Sequence, residues 1–114
     1  VSSTQRVGVD VELVTHRVNK IRHKFLHPSE LSNWDIEALE EQEKFRTLTL
    51  LWSAKEAMFK WRGRGDIDFS ECMRVEKSTL LPSGILNARF QKDNFTASLE
   101  LHYQFMFTCF GHFL

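Results

Sequence analysis

The sequence predicts an α+β domain, an antiparallel sheet packed on one side against helices. Three observations carry this reading. The stretch Leu50 to Trp61 is apolar at helical spacing, and so is its lead-in from Phe45. From about Ser70 the period changes from helical to alternating. A short alternating run, Val7 to Leu13, stands ahead of all the helices. The chain has 114 residues, the size of a single domain spanning 1–114. Its 10 Phe and 3 Trp supply enough large apolar surface for a real core. The formal net charge is zero, which removes any global attraction to nucleic acid or to a membrane surface.

Val7-Gly8-Val9-Asp10-Val11-Glu12-Leu13 reads as a strand with the valines on one face. Asp10 and Glu12 share the other face, about 6.6 Å apart along the strand. Adjacent carboxylates repel unless they face water or a cation, so an acidic edge strand and a divalent-cation site both fit. Residues 16–26 are basic and helical in pattern, with Arg17, Lys20, Arg22 and Lys24 among their cations. This face suits either solvent or an acidic partner. His23 and His27 are four apart, but no third zinc ligand accompanies them. His27 to Asn33 is turn chemistry with a short helix, and Ser32 or Asn33 can cap the next one. An acidic helix is then expected from Trp34 to Lys44, continuing or bending into the central helix at Phe45.

The central helix is apolar nearly all round, which is the mark of a buried helix. Yet it carries Lys55, Glu56 and Lys60. Buried charges are costly unless paired or bound to an ion, although Glu56 and Lys60 could form an ordinary i,i+4 pair. Arg62-Gly63-Arg64-Gly65 suits a left-handed helix stop and also a phosphate approach. Met73 to Lys77, Leu86 to Gln91 and Phe95 to His102 read as strands, with Tyr103 to Phe110 continuing the last. Phe105, Phe107, Phe110 and Phe113 exceed what a half-exposed sheet needs, so a second lobe or a second copy of the chain is expected against them. Cys72 and Cys109 suggest neither a disulfide framework nor a metal knuckle; reduced thiols and a cytoplasmic location are expected. No apolar run is long enough to span a bilayer, and no membrane partner is expected.

If strand and helix pack together, Asp10, Glu12 and Glu56 can converge. Three carboxylates in one site need a cation, and hard oxygen ligands suit Mg²⁺, with Mn²⁺ as an alternative. Such ions also bind phosphate oxygens, and Lys55, Lys60, Arg62 and Arg64 would offset phosphate charge.

At these residues the sequence resembles the 4′-phosphopantetheinyl transferase superfamily. The family pattern is Gly-(Val/Ile)-Asp-x-Glu, a helical spacer, then Trp-(Ser/Thr)-x-Lys-Glu-(Ala/Ser)-x-x-Lys and glycines. Here it stands as Gly8-Val9-Asp10-Val11-Glu12, then Trp52-Ser53-Ala54-Lys55-Glu56-Ala57-Met58-Phe59-Lys60, then Gly63 and Gly65. Neither half is specific alone; the two in this order and separation are. The resemblance, strongest to the C-terminal lobe of the two-lobed surfactin-synthetase-activating type, covers roughly residues 7 to 77.

It implies Mg-dependent transfer of phosphopantetheine from coenzyme A to a serine of an apo acyl or peptidyl carrier protein. Asp10, Glu12 and Glu56 would bind Mg²⁺. Glu56 would also take the serine proton, Lys55 would contact phosphate, and Lys60 would offset the leaving phosphate. The helix bearing Arg17, Lys20, Arg22 and Lys24 would dock the acidic carrier. Two-lobed members carry a preceding lobe with coenzyme A contacts, and only 6 residues precede Val7 here. The chain is therefore expected to be one lobe of a longer enzyme, or to complete its site with identical copies. Two other readings compete. A Mg²⁺-dependent nuclease would place acid-x-Lys on a strand and would bring a basic footprint, and neither is present. A non-catalytic interaction domain retaining the fold is the alternative that the missing lobe favours.

Overall fold

The computed structural model describes residues 4–12, 17–63 and 65–106. Strand β1, Gln5–Val11, opens the fold. Four helices follow: α1, Arg17–Lys20; α2, Arg22–Phe25; α3, Pro28–Asn33; and, after a 3₁₀ turn at Ile36–Ala38, the long α4, Glu41–Arg62. A short α5, Phe69–Cys72, leads into β2, Met73–Val75, β3, Ser83–Lys92, and β4, Phe95–Phe105. No helix among the described residues is long and apolar enough to cross a membrane.

The strand order is β1-β4-β3-β2. β2, β3 and β4 pair antiparallel, as the sequence predicts. β1 instead runs parallel to β4, with Val9 opposite Tyr103, so the sheet is mixed. No hairpin joins those two strands, and the whole helical layer lies between them in the chain. The connection therefore leaves their relative direction open. One sheet face is apolar: Val9, Val11, Leu86, Phe90, Leu99 and Leu101 are all buried there. Against it α4 places Leu48, Leu51, Ala54 and Met58. The other face is polar, and on it Glu100 bridges Arg6 at 3.5 Å and His102 at 3.3 Å.

Local chemistry explains most of the helix ends. The basic segment is two short helices broken at Ile21, not one. Pro28 begins α3, and His27 and Glu30 form a capping box around its start. The acidic helix expected from Trp34 is absent. Asp35 sits left-handed at φ 50°, Leu39 and Glu40 are extended, and α4 begins at Glu41. Trp34 turns inward, and its indole N–H donates to the Val75 carbonyl at 3.2 Å. Gly63 ends α4 at φ 79°, where its N–H donates to the Phe59 carbonyl. Phe105, expected on an outward apolar surface, lies in the core; Phe107, Phe110 and Phe113 fall outside the described residues.

One charge sits at the centre. Lys55 is fully buried, and its Nζ donates to Glu30 Oε1 at 2.6 Å. It also donates to the carbonyls of Phe25 at 2.7 Å, Met73 at 3.0 Å and Phe69 at 3.2 Å. Glu30 is buried too, and it accepts the N–H of His27 at 2.9 Å and of Val75 at 2.9 Å. Two side chains thus tie α2, α3, α4, α5 and β2 together. Burial pulls the Lys55 ammonium below the ordinary lysine range, and Glu30 acts against that pull.

Two stability predictions follow from these ties. Lys55→Met or Glu30→Gln alone leaves a buried charge without its partner and should cost about 3–5 kcal/mol. The double variant should cost clearly less than the sum, because neither charge remains. Urea unfolding of all four proteins measures the coupling, and strict additivity would refute the pairing. The second concerns Asp68, whose carboxylate caps α5 by accepting the N–H groups of Ser70 at 3.0 Å and Glu71 at 3.4 Å. Hydrogen bonds from Ser70 hold this carboxyl below its usual range. A depressed folded-state value means the cap stabilises above the aspartate range and is lost as pH falls through it. Asp68→Ala should therefore cost about 1 kcal/mol at neutral pH. The gap to the unmodified chain should close on acidification, as thermal melts at stepped pH would reveal.

Candidate active site

Both halves of the motif fall on neighbouring elements, because α4 packs along β1. Strand alternation and helix periodicity then decide where the functional side chains go. Val9 and Val11 face the core, so Asp10 between them is exposed, at the register position opposite Gln104. Glu12 is exposed just beyond the strand. On α4 the core side is occupied by Leu51, Ala54, Lys55 and Met58. Glu56 is half-buried and Lys60 exposed. The residues that join strand and helix are thus the ones between the expected metal ligands. Among the described residues, no three His, Cys, Asp or Glu side chains are gathered to hold one metal ion. The expected convergence of Asp10, Glu12 and Glu56 is therefore not met. Their oxygen chemistry suits Mg²⁺, but their placement here does not fit it.

Lys55 also departs from expectation. Its ammonium is enclosed by one carboxylate and three carbonyls and is not presented to a phosphate. Arg62 bends back over the hairpin: its guanidinium carbon lies 4.4 Å from the Phe95 ring centroid and 5.9 Å from that of Phe90. Arg64 lies outside the described residues. Of the basic face, Arg17, Lys20 and Lys24 are exposed. Arg22 is committed to structure. Its guanidinium donates to Glu37 Oε2 at 2.8 Å and to the Asn19 carbonyl at 2.6 Å. The Arg22 hydrogen bond, with Lys44 adding to it, holds the Glu37 carboxyl below its usual range.

One turn before Glu56 on α4, Trp52 forms part of a cleft of about 840 Å³. Its apolar wall is Ile21, Phe25, Ile67 and Phe69; Lys24, Asp66 and Ser70 are among the polar groups that also line it. Trp52 meets the edge of Phe25 at 5.2 Å and tilts against Phe69 at 5.8 Å. Phe59 extends the cluster, with its ring 5.7 Å from Phe69. Sequence reasoning missed Phe69 and Glu30. The periodicity of α4 gives no hint of what covers it. The signal for Glu30 was present, since a lysine in a buried helix requires an acid elsewhere in the chain.

A family model described as the 4′-phosphopantetheinyl transferase superfamily matches residues 6–105. Comparisons with curated proteins and with solved structures gave no match. The matched span runs from β1 to the last residue of β4 and takes in both halves of the motif, so the chain belongs to the 4′-phosphopantetheinyl transferase superfamily.

Proposed function

We propose that this chain is a lobe of an enzyme that transfers 4′-phosphopantetheine from coenzyme A to a serine of an acyl or peptidyl carrier protein. The serine hydroxyl attacks the β-phosphorus of coenzyme A, a new serine O–P bond forms, the pyrophosphate P–O bond breaks, and 3′,5′-ADP leaves. Glu56 takes the serine proton, directly or through water, and Lys60, one turn further along α4, offsets charge on the leaving phosphate. The observation that carries the reading is the aromatic cleft lined by Trp52, one helical turn before Glu56 on α4. A pantetheine arm is a flexible chain with two amides, and an apolar wall with polar groups at its edge suits it. The family motif assigns Mg²⁺ to Asp10, Glu12 and Glu56. Among the described residues these carboxylates are not gathered into one site. A second lobe or a second copy of the chain supplies the remaining coenzyme A contacts, and Arg17, Lys20 and Lys24 dock the acidic carrier.

A second reading, a non-catalytic interaction domain of the same fold, draws on one observation, the ungathered carboxylates. Transfer to an apo carrier protein, followed by mass spectrometry with and without Mg²⁺, separates the two. Glu56→Ala should lower turnover by about 100-fold or more at saturating carrier, because it removes the proton acceptor. Equal turnover would overturn the mechanism. No labelling by the unmodified chain or its full-length parent would favour the interaction domain. Arg17→Glu with Lys20→Glu should raise the carrier concentration needed and its salt dependence while leaving turnover at saturation intact. An unchanged carrier dependence would remove only the docking face.

A further inference from the structure

Lys55 of α4 has no free donor for a substrate, yet its ammonium bonds two residues that line the cleft, Phe25 and Phe69. Trp52 and Lys55 are three residues apart and so neighbours on the helix surface. The two rings that clasp Trp52 belong to Phe25 of α2 and Phe69 of α5. The backbone carbonyls of those same two residues both accept from Lys55 Nζ, at 2.7 and 3.2 Å. One ammonium therefore fixes both cleft walls to the helix that carries Glu56. Glu30, at 2.6 Å, balances its charge.

We infer that Lys55 is a positioning residue. Touching neither phosphate nor the reacting atoms, it clamps α2 and α5 at the spacing that admits a pantetheine arm. This rests on the reading of the cleft given above, whereas the clamp itself is a property of the chain alone. The geometry favours it over a phosphate contact for two reasons. All three ammonium protons have protein acceptors within 3.2 Å. Releasing the side chain toward a phosphate would leave the Glu30 carboxylate buried and unpaired.

The test uses Lys55→Met combined with Glu30→Gln, which keeps side-chain volume and leaves no unpaired charge. Amide hydrogen exchange should be about tenfold faster at Leu26 and at Cys72, one reporter for each wall, because a buried hydrogen bond is lost from each. Leu86 and Leu101, in the sheet, should not change. Acceleration at one wall only, or equally everywhere, would overturn the clamp. Should the variant fail to fold, native-state exchange of the unmodified chain decides: Leu26 and Cys72 should open in one shared event, and independent openings would overturn the inference. Two ligand probes separate the roles. D-Pantetheine, which has no phosphate, should bind the variant about tenfold more weakly, while 3′,5′-ADP, which has no pantetheine arm, should bind it as before. Weakened 3′,5′-ADP binding with pantetheine unaffected would make Lys55 a phosphate ligand and sink the proposal. If the unmodified chain binds no pantetheine, the cleft reading fails, and the exchange measurements still decide the clamp.

Discussion

The fold depends on a single buried ion pair. Lys55 and Glu30 join five elements through six hydrogen bonds: the one they share, those to the carbonyls of Phe25, Phe69 and Met73, and those from the N–H groups of His27 and Val75. A buried pair contributes little net stability compared with apolar side chains of the same size. Its effect lies in specificity: α2, α5 and β2 are only 4, 4 and 3 residues long, too short to fix their own place. A shared polar centre leaves them one arrangement in which every buried donor and acceptor is satisfied.

The same centre shapes the candidate site. Lys55 turns inward and is fully buried, whereas Glu56 is half-buried and Lys60 exposed on the same helix. On β1 the pleat has the parallel consequence, carrying Asp10 to the polar sheet face while Val9 and Val11 join the core. Strand and helix are in contact, yet their acidic residues are not gathered into one site among the described residues. Asp10, Glu12 and Lys60 are thereby left exposed at the surface of the domain.

Much of this was legible in the residues. The α+β class, the strand at Val7 to Val11, the long helix ending at Gly63 and the late strands all follow from apolar period and from Gly chemistry. The family was legible too, because Gly8 to Glu12 and Trp52 to Lys60 are local patterns of fixed spacing. Less legible were the breaks at Ile21 and at Asp35. Both lie in segments of good helical composition, where packing of Trp34 under β2 and the Arg22–Glu37 pair override propensity.

The sequence by itself determined which residue types carry the chemistry and which elements bear them, since both are encoded within a few neighbouring positions. Tertiary structure alone decided which of those side chains face one another. The parallel pairing of β1 with β4 joins the two ends of the described fold. The surroundings of Lys55 are made by a glutamate 25 residues earlier and by carbonyls of segments on both sides of it. The physical reason is that a charge in a core is assigned by whatever acceptors the packing brings to it, and no local pattern of residues records those acceptors.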